Sequence, residues 1–163
     1  ACYFGVLLEY GHSIAQKMVD KNVKIRFVGH RELFPKEIAG MCTSIEQMTS
    51  GCSGLSVQLL FCYGGKQEIV EATKNIARAV QQGLISTNDI TEALFKNYTW
   101  TRDMPDPELI IRTGHMNRLS GFLLYQSAYS ELYFPDCLWP DMHTEEFTKA
   151  LDYYDSCTRN FGI

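Results

Sequence analysis

The sequence predicts an α/β fold in which a mostly parallel sheet is flanked by helices. Segments with apolar residues at helical spacing alternate with short apolar runs, in the order αβαβα from the start of the chain. Strands separated by helices favour parallel pairing through right-handed crossovers. The chain has 163 residues, 45% of them hydrophobic and 21% charged. It can therefore bury one sizeable core, and we expect a single domain over 1–163.

Apolar spacing and turn residues place the elements of the first half. Helical spacing over 4–19 predicts a first helix, and the apolar run 24–28 predicts a strand. Pro35 opens a second helix, because its fixed φ suits a helix start. The apolar face of this helix is formed by Ile38, Met41, Ile45 and Met48.

The second half continues the alternation. Gly54 introduces a strand over 55–62, and a Gly-Gly pair at 64–65 leads into the next helix. The remaining predicted elements are that helix, which contains 69–80, a short helix through Leu94 capped by Ser86 or Thr87, a strand at 109–111, a helix from about Phe122, and a last helix over about 144–159.

Composition excludes several classes of function. The net charge of −4 argues against a general nucleic-acid binder, although it permits a local basic pocket. The six cysteines form no CxxC pair and the four histidines no HxH or HExxH spacing, which argues against a zinc site and favours free thiols in a reducing cytosol. No apolar run approaches the roughly 20 residues of a membrane span, so we expect any membrane contact to be peripheral.

A candidate anion site follows the strand at 109–111. Arg112 lies at the carboxyl end of this strand, where open α/β sheets bind ligands. Arg118 and Ser120 follow within one loop, and a guanidinium and a hydroxyl both suit phosphate oxygens. Glu131 lies further down the helix predicted from Phe122, and a carboxylate beside diphosphate is typical of a Mg²⁺ site. The alternative is that both arginines are surface ion-pair partners and Glu131 a solvated helix residue.

Two further features leave two interpretations open. Gly64, Gly65 and Lys66 would bring backbone N–H groups and a cation close to an anion, or they form a simple strand-to-helix turn. The apolar first helix, together with Val23 and Leu55 on neighbouring strands, would line an elongated cavity or belong to an ordinary core.

Several motifs together resemble the cis-prenyltransferases, the family of undecaprenyl and dehydrodolichyl diphosphate synthases. That family shows Arg-Thr-(Ser or Gly)-Gly-Glu-x-Arg-x-Ser-x-Phe-x-x-Trp-Gln, followed by Glu-Leu-x-Phe and Leu-Trp-Pro. The matching segments here are 112–126, 130–134 and 138–140, with further resemblance at 22–29 and 62–66. The resemblance thus spans nearly the whole chain.

The resemblance implies an undecaprenyl diphosphate synthase-like fold and a prenyl transfer reaction. Members condense isopentenyl diphosphate with an allylic diphosphate, such as farnesyl diphosphate, in a Mg²⁺-assisted reaction that gives a long polyprenyl diphosphate. Carried over by position, the isopentenyl diphosphate head would be held by Arg112, Arg118, Ser120 and the backbone near Leu119. Glu131 would help to place the metal, and Val23 and Leu55 fall where residues that line the hydrophobic tunnel are expected.

The resemblance also implies partners. In the family the helix that matches 122–134 packs at a two-fold interface, so we expect a homodimer, or a heterodimer with an accessory subunit. We also expect a cytoplasmic location, with peripheral contact to a membrane such as the endoplasmic reticulum. Three hypotheses compete: an active cis-prenyltransferase, a non-catalytic or partner-dependent subunit of a heteromeric one, and an unrelated α/β phosphate-ligand binder. Retention of two arginines and a carboxylate favours the first.

The sequence departs from the family at identifiable positions. Nothing matches the Asp-Gly-Asn-x-Arg-Trp motif with which the family begins, so we expect the chain to be incomplete at its amino terminus and the catalytic residues to lie in the missing segment. Other departures are His115 and Met116 for Gly and Glu, Asn117 at a variable site, Tyr125 for Trp, Cys62 for Asn, Lys66 for Arg, and Asn160 for the arginine of an Arg-x-Gly ending. Loss of that arginine is typical of catalytic subunits that depend on an accessory chain.

Overall fold

The structure, a computed structural model, describes residues 2–158, in which helices and short strands alternate as far as the third helix and the third strand is followed directly by the fourth. The helices are α1 (Cys2–Asp20), α2 (Lys36–Met48), α3 (Gly65–Gln81), α4 (Glu92–Tyr98) and α5 (Thr144–Ser156). The strands are β1 (Lys24–Val28), β2 (Ser56–Leu60), β3 (Leu109–Ile111) and β4 (Glu131–Tyr133). None of the described helices is both long enough and apolar enough to span a bilayer.

The strands form two parallel pairs. β1 pairs with β2 so that Lys24 lies opposite Ser56, and β3 pairs with β4 so that Leu109 lies opposite Glu131. α2 connects β1 to β2, as a parallel crossover requires. The predicted α/β class with parallel strands is therefore confirmed, with the described strands in two separate pairs.

The apolar core lies between β1 and the helices α1 and α2. Ile25 and Phe27 alternate along β1, so both side chains point to the same face. Ile38, Cys42 and Ile45 recur at helical spacing on α2 and meet that face. The buried cluster comprises Ala15, Ile25, Phe27, Phe34, Ile38, Cys42 and Ile45. Each large aliphatic side chain buried in this way stabilises the fold by about 1.5–3 kcal/mol.

Two side chains, one on α2 and one just after it, close one edge of the first strand pair. The Ile25 N–H donates to Thr49 Oγ1 at 3.1 Å, and the Phe27 N–H donates to Glu46 Oε1 at 2.8 Å. These N–H groups lie on the edge of β1 that faces away from β2, where no strand pairs within residues 2–158. The two side chains thus satisfy backbone groups that an unpaired strand edge would leave open.

Two helix predictions of the second half were wrong in their bounds. Instead of one short helix through Leu94, the chain forms a 3-10 turn at Thr87–Asp89, capped by Ser86, and then α4, capped by Thr91. Two cap residues in succession each accept a backbone N–H, which divides the segment. The last helix ends at Ser156 rather than near residue 159, which lies outside the described part.

The predicted helix from Phe122 was also wrong. Residues 121–129 form successive turns, and Glu131 begins β4 instead of continuing a helix. Ser120 and Leu123 have left-handed φ values of 50° and 46°, which interrupt a right-handed helix. Among the apolar side chains of these turns, Leu123 is buried at 5% exposure, whereas Phe122 and Leu124 are exposed at 41% and 37%.

Candidate functional site

The loop of residues 112–121, here called the anion loop, begins where β3 ends. The Arg112 N–H donates to the Tyr133 carbonyl at 2.9 Å, which extends the ladder between β3 and β4 by one bond. The Arg112 guanidinium turns back and donates to Ser120 Oγ at 3.0 Å and to the Arg118 carbonyl. Arg112 therefore holds the two ends of the loop together, while the side chains of Arg118 and Ser120 are exposed to solvent.

The departures from the family pattern at the tip of this loop have a structural role. His115 has a φ of +58°, and its Nδ1 lies 2.5 Å from Asp136 Oδ1. The preceding Gly114 donates its N–H to the Cys137 carbonyl at 2.8 Å. These contacts fasten the tip to the segment that follows β4. Met116 is 42% exposed.

The amino-terminal end of α3 faces the end of the anion loop across a cavity of about 380 Å³. Its lining residues are Gly64, Gly65, Lys66, Gln67, Ser120 and Gly121. The Gly65 N–H donates to the Gly121 carbonyl at 2.7 Å. A Cβ atom at Gly65 would lie 2.8 Å from that oxygen, so this close approach requires glycine.

The electrostatics of this cavity suit an anion. The 17-residue helix α3 directs the positive end of its dipole towards the cavity, and Lys66 adds a full charge. Ser120 contributes a hydroxyl from the opposite side. Since the Gly-Gly-Lys turn and the predicted phosphate serine share one cavity, the structure favours the anion-binding interpretation of this turn over a purely geometric one.

A buried polar cluster lies behind the cavity, and sequence reasoning missed it. Glu68 is 1% exposed and accepts hydrogen bonds from Tyr63, Thr101 and Gln126. Burial, with the hydrogen bond and charge of Glu68, raises the pKa of Tyr63 far above its usual range, so the phenol stays a donor. The available signal was a glutamate on the apolar face of α3, three residues after Gly65.

Glu131 lies away from the anion loop. It begins β4 and lies opposite Leu109. Arg112 is three residues after Leu109, so the backbone positions of Glu131 and Arg112 are separated by about 10 Å along the strand direction. Among the described residues, no three His, Cys, Asp or Glu side chains are close enough together to hold a metal ion. The metal role of Glu131 stays a prediction.

Val23 and Leu55 lie side by side at the amino ends of β1 and β2. The Lys24 N–H donates to the Leu55 carbonyl at 2.8 Å. Val23 is 8% exposed and Leu55 66%. They lie near the amino-terminal end of β2, whereas Gly64 follows its carboxyl-terminal end. Apolar surface and the anion-binding cavity thus occupy opposite ends of β2, and lining of a tunnel by these two residues stays a prediction.

A second cavity, of about 530 Å³, lies between the strands β1 and β2, the helix α3 and the segment 98–104. Its lining includes Arg26, Arg78, Arg102 and Trp100. Arg26 is paired with Asp103 at 2.9 Å. Ring contacts lead from this cavity to Phe122, the residue after the anion loop. His30 contacts Trp100 (5.6 Å between centroids), Trp100 contacts Tyr63 (6.0 Å), and Tyr63 contacts Phe122 (6.2 Å).

The aromatic residues expected at a dimer interface are partly used within the chain. Tyr125 packs against Phe95 at 4.9 Å between ring centroids, and Tyr133 against Tyr153 at 5.2 Å. Tyr129 is 68% exposed. Dimerisation stays a prediction, and Asn160, on which partner dependence rests, lies outside the described residues. Cys62 is a free thiol; it is exposed and has a φ of +48°.

Comparison with protein families gives a match over residues 4–162 to the family described as putative undecaprenyl diphosphate synthase. The isoprenyl transferase of Geobacillus kaustophilus is 40% identical over 146 residues, which are 90% of this chain and 57% of that protein. The tritrans,polycis-undecaprenyl-diphosphate synthase (geranylgeranyl-diphosphate specific) of Thermoplasma volcanium is 36% identical over 147 residues, again 90% and 57%. The chain thus spans somewhat more than half the length of these relatives.

Two solved structures superimpose closely on this chain. Lavandulyl diphosphate synthase from Lavandula x intermedia, in complex with dimethylallyl diphosphate, superimposes with a TM-score of 0.93 at 29% identity, over 98% of this chain and 70% of that one. A probable undecaprenyl diphosphate synthase from Campylobacter jejuni superimposes with a TM-score of 0.79 at 30% identity, over 96% and 72%.

Proposed function

The chain belongs to the undecaprenyl diphosphate synthase family, and we propose that the protein elongates prenyl chains in the cis configuration. The reaction condenses isopentenyl diphosphate with an allylic diphosphate, such as farnesyl diphosphate, and gives a long polyprenyl diphosphate. The relatives named as isoprenyl transferase and undecaprenyl-diphosphate synthase support this class of reaction. The substrates themselves are part of the proposal.

One observation carries the proposal: the anion loop and the amino-terminal end of α3 face a common cavity. The cavity combines the Ser120 hydroxyl, the Lys66 cation and a helix amino terminus, and the exposed Arg118 lies in the same loop. A diphosphate head with several negative oxygens requires several donors at once. This arrangement therefore supports binding of isopentenyl diphosphate at Arg118, Ser120 and the backbone of Leu119.

The chain's own residues contribute mainly by orientation. Arg118 and Ser120 would fix the diphosphate head so that the double bond of isopentenyl diphosphate approaches the allylic carbon, and such orientation supplies a large part of a condensation's rate. Arg112, whose guanidinium contacts Ser120 and the Arg118 carbonyl, would hold the loop that binds the head.

The family generally uses a divalent metal, and we propose Mg²⁺, with Glu131 as a carboxylate that this chain contributes. A bound metal supplies charge neutralisation for the leaving diphosphate. Since the described residues do not bring Glu131 to the anion loop, no step is assigned to it.

We propose in addition a homodimer, or a heterodimer with an accessory subunit. The protein would be cytoplasmic, with peripheral contact to a membrane that receives the apolar product. The exposed Tyr129 is the residue of the 122–134 segment that supports a contact surface. Light scattering at micromolar concentration tests this, and a monomer would contradict it.

The experiment is incorporation of labelled isopentenyl diphosphate by the natural full-length protein, with farnesyl diphosphate and Mg²⁺, followed by chromatography of the products. We expect long polyprenyl products that disappear with a chelator. Arg118→Ala should lower turnover and diphosphate affinity about 100-fold, because a charge-assisted contact is lost. The melting temperature should stay the same, since the side chain is exposed.

The matched control is Lys149→Ala, which removes an exposed cation on α5 that pairs with the neighbouring Glu145 and Glu146. Unchanged kinetics for Arg118→Ala would remove this residue from the site. Folded full-length protein that binds diphosphate through Arg118 but makes no product would support the partner-dependent subunit, with Asn160 as the residue to restore to arginine. Absence of diphosphate binding would contradict both.

A further inference from the structure

Glu68 is a buried carboxylate whose four hydrogen bonds all come from neutral donors. Oε1 accepts from the Thr101 N–H at 3.0 Å and from Thr101 Oγ1 at 2.8 Å. Oε2 accepts from the Tyr63 hydroxyl at 2.5 Å and from Gln126 Nε2 at 2.9 Å. Both oxygens are thus fully used, and they join α3 to three separate segments of the chain.

Such a carboxylate is costly to bury, because four neutral hydrogen bonds replace water around a group that is ordinarily charged. An apolar side chain at this position on the buried face of α3 would serve packing with no such cost. The geometry therefore favours a role in which the hydrogen bonds themselves matter.

The hydrogen bonds lead to the segment that follows Ser120. Tyr63, which donates to Glu68, packs its ring against Phe122 with 6.2 Å between the ring centroids. Leu123 is left-handed at a φ of 46°, a conformation that leucine adopts only when its surroundings impose it. Gln126, three residues on, is 4% exposed and donates directly to Glu68. Glu68 thus holds Gln126 directly and supports Phe122 through Tyr63, while the Gly65 N–H holds the Gly121 carbonyl.

We propose that Glu68 is a positioning residue for diphosphate binding. Through Tyr63 and Gln126 it holds residues 120–126 in the strained conformation that presents Ser120 and Arg118 to the anion. Glu68 does not touch the ligand itself, because its oxygens face away from solvent and are occupied. This inference rests on the proposed function for its substrate, isopentenyl diphosphate, and on the anion loop for its geometry.

The test uses Glu68→Gln in the natural full-length protein, with inorganic diphosphate as the calorimetric probe. Glutamine has nearly the same shape as glutamate, but its amide N–H group would face donors whose hydrogen bonds the carboxylate accepts. We expect diphosphate affinity to fall about tenfold and the KM for isopentenyl diphosphate to rise by the same factor, since small displacements of binding groups have effects of this size or larger. The KM for the allylic substrate and kcat should stay within about twofold.

Glu71→Gln is the matched control, because Glu71 lies on the same helix, one turn on, and its carboxylate binds Lys74 at 2.6 Å outside this cluster. It should leave all constants unchanged. A purely structural role of Glu68 predicts instead a lower melting temperature with unchanged diphosphate affinity, and that result would overturn the inference.

Tyr63→Phe provides a second, milder variant, since it removes only the hydroxyl that donates to Glu68. It should also weaken diphosphate binding. The double variant should bind diphosphate no more weakly than Glu68→Gln alone, because both changes remove the same hydrogen bond between Tyr63 and Glu68. Tyr63→Phe decides the matter if Glu68→Gln does not fold, and a wild-type diphosphate affinity of Tyr63→Phe would refute the inference.

If the protein binds diphosphate but transfers no prenyl group, the proposed function fails and diphosphate affinity still decides the role of Glu68. A wild-type protein that binds no diphosphate refutes both.

Discussion

The core formed by α1, α2 and β1 and the region around the anion loop are held by different forces. In the first, seven apolar side chains fill the space between helices and strand, and the backbone is regular. In the second, several residues after Leu119 adopt left-handed φ values, namely Ser120, Gly121 and Leu123. The buried carboxylate of Glu68 accepts hydrogen bonds from Tyr63 and Gln126 next to this segment. Apolar packing is non-directional, whereas hydrogen bonds fix orientation. Damage to the first region should therefore reduce stability, and damage to the second should reduce affinity.

The largest effect is expected from Ile45→Ala in the core. Ile45 is 2% exposed, and its truncation should lower the free energy of unfolding by about 3 kcal/mol, within the usual range for aliphatic side chains that leave a cavity. Urea unfolding measures this. Diphosphate affinity in the folded variant should not change, because Ile45 contacts no residue of the anion loop.

Met48→Ala, on the same helix and 36% exposed, is the control and should cost less than about 1 kcal/mol. A diphosphate affinity that falls along with stability in Ile45→Ala would show that the two regions are coupled and would remove the distinction between them.

Thiol chemistry gives a second comparison of the two regions. Cys42 is fully buried, and burial raises its pKa to about 11 from an ordinary 9.0. At pH 8 its thiolate fraction should therefore be about 100-fold below that of an ordinary thiol, and solvent access is lacking as well. Cys62, which is exposed beside Tyr63, should react with a thiol reagent at once. Peptide mapping after brief alkylation should find label on Cys62; equal labelling of Cys42 would mean that the core opens readily.

The sequence predicted the first region well because its physics is periodic. The strand at 24–28 was predicted with the bounds that β1 has, and the helix after Pro35 buries Ile38 and Ile45 as expected. Periodicity reports apolar faces, and here apolar faces decide the structure. Thr49 and Glu46, which close the edge of β1, were not predicted, because a side chain that bonds a distant backbone group leaves no periodic signal.

For the candidate site, the sequence indicated Arg112, Arg118 and Ser120, which the structure brings into one loop. It failed for the following segment, where the spacing from Phe122 suggested a helix. The deciding contacts come from Glu68 and Tyr63, about 60 residues earlier in the chain, so no local pattern reveals them. The placement of Glu131 failed for the same reason, since it depended on the predicted helix.

The smallest and most specific effect concerns two glycines. Gly65→Ala would place a Cβ atom 2.8 Å from the Gly121 oxygen and 3.0 Å from the Leu124 nitrogen, both backbone atoms, so the segment that follows the anion loop must move. We expect diphosphate affinity to fall by about tenfold. Gly40→Ala in α2 has no atom within 4 Å of the new Cβ, and it should stabilise the chain by about 0.5–1 kcal/mol with no change in affinity, because alanine favours a helix. Calorimetric titration with diphosphate and urea unfolding of both variants measure the pair. An affinity unchanged by Gly65→Ala would mean that the loop binds anions without a fixed position, and the close approach of α3 would then serve packing alone.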